Sequence, residues 1–157
     1  MRCLRTHLLP VLFVIATGQA SAQRGEMSPE ERQAILDYKL TLPRANSLIT
    51  AMQAMTKYMV SRPDFQDVMK KSMTMTPAER LARVEKDPKA AAILKENSLT
   101  AREYMAGVPA LRMALLLSQG PPPTPNIIAS PANIAFAKAN YADLKPKLEA
   151  AEGIRRP

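Results

Sequence analysis

The amino-acid sequence predicts an all-α fold, a single-domain irregular bundle of about six to seven helices, one of them bent by proline. Three observations carry this reading. Ser28, Thr76, Asp87, Thr100 and Ser130 each stand just before a run suited to a helix, and four of the five are followed by proline. Proline is harmless at the first helical position, where the N–H it lacks has no intrahelical partner. Glycine is scarce, with four residues after Ala22, and no stretch alternates β-branched and polar residues as a half-buried strand would.

The first helix, near 29–41, opens with Ser28 three residues before Glu31. That spacing is a capping box, in which hydroxyl and carboxylate each take a backbone N–H left free at the helix end. The second, near 43–60, carries Leu48, Met52, Met55 and Met59 as a narrow apolar stripe, and the third, near 63–73, repeats it with Phe65, Val68, Met69 and Met73. The fourth (77–86) has Thr76 and Glu79 as its capping box, and the fifth (88–97) begins at Asp87. The sixth, near 100–119, is capped by Thr100 and Glu103 and turns Tyr104, Val108, Leu111 and Leu115 inward. Within it, Pro109 withholds the N–H that would reach the Met105 carbonyl, so the helix must bend. Gly120 ends it, and the proline-rich residues 121–125 form a stiff spacer before the last helix, near 131–151. Residues 153–157 are expected to fray.

The last helix places Asn133 and Asn140 two turns apart on its apolar stripe. Each amide needs partners or costs about 1–3 kcal/mol. The open Met105 carbonyl, water, a polar ligand pocket and an interface register are the alternatives.

Residues 1–22 read as a secretory signal. Arg2 and Arg5 precede an apolar stretch from Leu8 to Ala16, and Ala20-Ser21-Ala22 supplies a small-x-small cleavage site. Cleavage after Ala22 would leave one helical domain over 23–152, in the periplasm or secreted. It would also remove Cys3 and His7, the chain's one cysteine and one histidine. No later run approaches the roughly 20 apolar residues of a membrane span.

Arg2 and Arg5 leave with the signal and no acid does, so the net charge of +8 falls to +6. Bases and acids are interspersed, and the six remaining aromatics are scattered, so the footprint of a nucleic-acid binder is missing. Weak contact with anionic surfaces is the milder use of that charge.

Without histidine or cysteine, nucleophilic triads and most zinc sites have no residues to work with. Gly-x-Ser-x-Gly, Ser-x-x-Lys and glycine-rich phosphate loops do not occur. The acidic pairs Glu30 with Glu31 and Asp64 with Asp67 fall in first helical turns, where they oppose the helix dipole. No catalytic residue and no cofactor is expected. Nine methionines follow Ala22, and six cluster as Met52, Met55, Met59, Met69, Met73 and Met75. Their spacing fits a core stripe, an adaptable binding face or a thioether site for Cu(I).

Residues 86–104, with Asn133-Ile134-Ala135-Phe136 and Asn140, resemble small exported all-helical bacterial proteins of unknown function, which implies a helical fold and no activity. The start from Met27 to Gln33 is also similar to helix starts in periplasmic stress chaperones bearing Leu-Thr-x-x-Gln motifs. Here Met-Ser replaces Leu-Thr, and the second occurrence, Met75 to Glu79, ends in Glu where those chaperones have Gln. The expected function is a non-catalytic protein-interaction module or accessory subunit. It would bind a protein partner through Met52, Met55, Met59 and Met69, with Tyr58 and Phe65 as anchors. A holdase-like chaperone and a Cu(I) or small-ligand binder are the alternatives.

Overall fold

A computed structural model describes residues 27–121 and 127–153. The signal segment, most of the proline-rich spacer and residues 154–157 lie outside the described residues. Eight helices and no strand are found among those described: α1 (Pro29–Asp37), α2 (Leu42–Ser61), α3 (Phe65–Ser72), α4 (Pro77–Lys86), α5 (Pro88–Glu96), α6 (Ala101–Leu117), α7 (Pro131–Ala139) and α8 (Tyr141–Ala151). None is long and apolar enough to cross a membrane.

The helix starts form as their residues dictate. Ser28 with Glu31, Thr76 with Glu79 and Thr100 with Glu103 all close reciprocal capping boxes. Asp87 accepts from the amides of Lys89 and Ala90, and Ser130 from that of Asn133.

Two long helices organise the bundle. α2 packs against α8, α6 and α5, while α6 also carries α7, α1 and α4. Their shared core is built from Leu48, Met52, Leu94, Leu111, Leu115 and Leu144. The approach of α6 to the α1–α2 corner is close. A Cβ added at Gly107 would lie 2.7 Å from Tyr38 Cζ and 2.8 Å from a Leu48 methyl, so glycine is what lets the helices meet there.

Three expectations are corrected. The helix read as 131–151 is two helices that break at Asn140, whose backbone (φ −114°, ψ 14°) leaves helical geometry. Its Nδ2 donates to the Phe136 carbonyl at 2.8 Å, the same oxygen its own N–H uses, so the side chain competes with the helix ladder. The Asn140 carbonyl then receives Leu144 N–H and starts α8. Second, a further proline, Pro146, sits inside α8. Pro146 and Ala142 are both exposed, so water can serve the carbonyl that Pro146 leaves open. Third, the α3 stripe is buried only at Val68, with Phe65 half-buried and Met69 and Met73 exposed.

Candidate functional site

Helix α6 is apolar on two sides. Tyr104, Val108, Leu111 and Leu115 face the core as expected, and Met105, Ala106, Pro109 and Met113 recur on the opposite side at helical spacing. A helix of that kind needs cover all round. Here the cover is incomplete. α1 and α4 both rest on α6, and between them runs a groove of about 780 Å³ with the second apolar face as its floor. Ala34 and Ile35 of α1 form one wall, Pro77, Ala78 and Leu81 of α4 the other, and Met27 stands at the end where α1 begins.

One ion pair spans the walls. Arg80 Nη2 lies 2.9 Å from Glu31 Oε1, while Glu31 Oε2 accepts from the Ser28 N–H and so caps α1. A single carboxylate therefore caps α1 and links it to α4. Arg102, exposed at the start of α6, lines the same groove and makes no ion pair among the described residues. The Met105 carbonyl, deprived of its usual donor by Pro109, lies between two residues of the floor.

The six clustered methionines do not share one surface. Met52 is buried in the core at 4 % exposure, and Met55 packs partly against it. Met59 and Met75 are half-buried, whereas Met69 and Met73 are 46 % and 84 % exposed. The sulfurs of Met52 and Met75 face the guanidiniums of Arg112 (3.7 Å) and Arg83 (3.8 Å), positive neighbours that would repel a Cu(I) ion.

Tyr58 belongs to an internal polar cluster. Its hydroxyl sits 2.9 and 3.0 Å from the two Asp87 oxygens, and Arg62 donates to both the Tyr58 hydroxyl and Asp87. Arg62 also forms a two-bond pair with Asp64. Burial alone would raise the Asp87 carboxyl. The Ala90 amide, the Tyr58 hydroxyl, the Lys89 amide and Arg62 outweigh that and hold it below the ordinary 3.8. Tyr58 is in turn pushed above its usual 10.0, chiefly by its bond to Asp87. A carboxylate kept ionised and a phenol kept protonated exchange no proton near neutrality, so the cluster serves to tie the end of α2 to the start of α5.

Asn133 is 3 % exposed and bonded within the fold at both its amide oxygen and its amide nitrogen. Its Oδ1 accepts from Leu40 N–H (3.0 Å) and its Nδ2 donates to the Tyr38 carbonyl (2.7 Å). Its partner is thus the α1–α2 corner and not the Met105 carbonyl. Asn140 serves the Phe136 carbonyl, so the two amides do not share a pocket.

Among the described residues, no three His, Cys, Asp or Glu side chains gather as a metal site requires. The groove residues Met27, Arg102, Met105 and Met113 were missed in the sequence. The signal that could have found them is the repeat 102, 105, 106, 109, 113, lying opposite the predicted core face of α6. Comparison with family models, curated proteins and solved structures gives no match.

Proposed function

We propose that the chain is an exported, non-catalytic protein-interaction module whose docking surface is the groove on α6. The observation that carries this reading is the second apolar face of α6, left open between α1 and α4 and lined by three partly exposed methionines. Thioether side chains are flexible and polarizable, so such a lining can adapt to a partner without a backbone change. A groove of this size falls within the range of specific binding sites. Its walls are held by a pre-formed ion pair, which keeps the ordering cost of binding low. Export rests on the charge, apolar stretch and small-x-small site of residues 1–22. One bounded groove suits a defined partner better than a range of unfolded clients.

The test is a photoreactive residue placed at Ala34, an exposed position on the α1 wall, in cells that export the protein. A single discrete adduct is expected, lost when Ala106→Trp or Ala78→Trp fills the groove. A ladder of many adducts would point to a holdase instead. An adduct indifferent to both fillings would remove the groove from the account. N-terminal sequencing of the exported protein should begin at Gln23.

A further inference from the structure

We infer that the occupant of the α6 groove is an amphipathic helix that brings an acidic side chain to Arg102. This rests on the docking role proposed above and specifies its partner. The floor runs from Arg102 to Met113, a length of about 16 Å, or about three helical turns. Its walls are two helices already packed on α6, so the free space has the form of a slot for one more helix. Beside the Arg80–Glu31 bridge the groove is open to solvent, since Glu30, Ala34, Ala78 and Arg102 on its rim are exposed. A small apolar ligand lying there would keep one apolar side in water, whereas binding sites for such ligands enclose most of the ligand surface. A helix supplies its own polar outer face and loses nothing by the opening.

Charge then fixes the orientation. Arg80 is already neutralised by Glu31 across the groove, which leaves Glu30 as the anion beside the start of α1 and, as the cation of the lining without an ion pair among the described residues, Arg102. It stands at one end of the floor, where an Asp or Glu flanking the apolar stripe of an incoming helix would meet it. A guanidinium offers such a carboxylate two parallel N–H donors. Apolar anchors at i, i+4, i+7 and i+11 would span the length of the floor from Arg102 to Met113.

The test uses helices of about 16 residues displayed on phage, with apolar residues at those four positions and free choice at the flanks. Selection is run on the wild-type protein and on Arg102→Glu, each counterselected against Ala106→Trp. Should Ala106→Trp disturb the packing of α6, Ala78→Trp blocks the groove from the exposed side of α4. Wild-type protein should enrich Asp or Glu beyond one end of the stripe, and Arg102→Glu should enrich Lys or Arg at the same place. A helix selected on wild type should bind Arg102→Glu about fivefold more weakly and recover when its acid is exchanged for Lys. Selected helices without a charge preference at that end would overturn the inference. So would dodecanoate displacing a groove-bound fluorescent dye where no helix is enriched. If no helix is selected while the Ala34 adduct still forms and is lost on filling, the inference falls and the docking role stands. If filling leaves the adduct intact, both fall.

Discussion

Asn133 spends both ends of its amide on the backbone of residues 38 and 40, and that makes it the most demanding polar side chain in the core. Asn133→Leu keeps the branching at Cγ and leaves the Leu40 N–H and the Tyr38 carbonyl without their side-chain partner. Each orphaned group costs about 1–3 kcal/mol, so urea unfolding should show a loss of about 2–6 kcal/mol. Asn133→Ala losing less than about 1 kcal/mol would show that water reaches both groups. The neighbouring Tyr38 gives the opposite case. Its hydroxyl is buried and has no hydrogen-bond partner of good geometry among the described residues, while its ring supports Gly107 and lies 6.0 Å beneath the Arg44 guanidinium. Tyr38→Phe keeps the ring and removes the unpaired oxygen, so stability should hold or rise by up to about 1 kcal/mol. At Gly107 two effects compete. Alanine gains about 1 kcal/mol in helix propensity, but its methyl would stand 2.7 Å from Tyr38 Cζ and 2.9 Å or less from both Leu48 methyls. Overpacking of that kind costs about 1–3 kcal/mol, so Gly107→Ala should lower the thermal midpoint.

At the scale of the helix, the capping boxes are where sequence and structure agree most closely. Thr100 accepts from the Glu103 N–H at 3.1 Å, and Glu103 returns a bond to the Thr100 N–H at 2.9 Å while its other oxygen holds Arg44. Thr100→Ala should cost about 1 kcal/mol in denaturant unfolding, with helix content unchanged in the folded state. Such starts are legible because a cap is local: hydroxyl, proline and glutamate within four residues settle it. Burial is not local, and there the reading fails. The stripe from Phe65 to Met73 has the spacing of a core face, yet spacing cannot say whether another element lies opposite, and Met69 and Met73 stay exposed. The break at Asn140 escaped for a related reason, since an amide within an apolar run can either stay in the helix or bend back to a carbonyl, and the run does not say which. Here it bonds Phe136, and Leu144 and Leu148 of the new helix enter the core. The groove was hidden by abundance. α6 is apolar on nearly every side, and only the tertiary arrangement shows which side lacks a neighbour.

The whole molecule should respond to pH through its ionised caps. Glu79 is held below the ordinary 4.5 first by the Thr76 N–H, and Glu103 first by the Thr100 N–H and then by Arg44. Asp87 and Asp64 are likewise lowered, the latter chiefly by Arg62. A carboxyl lowered in the folded state binds fewer protons there than in the unfolded chain. Its contribution is complete above the unfolded value and is lost as pH falls through the folded one. The net charge of +8 grows as acids are neutralised, and the added repulsion acts in the same direction. Stability should therefore be nearly flat from about pH 8 to about pH 5 and fall below about pH 4.5. At the alkaline end the sign reverses. Burial raises Tyr104 above 10.0, so the unfolded chain ionises first and stability declines as pH climbs beyond that value. Asp87→Asn isolates one contribution to the acid limb, because Asp87 ties α2 to α5 through Tyr58 and Arg62 and caps α5. The variant should be less stable than wild type at pH 7, and the gap should close as pH falls and wild-type Asp87 takes up its proton. A gap that stayed constant down to about pH 3 would mean that the ionised carboxylate contributes nothing beyond its shape.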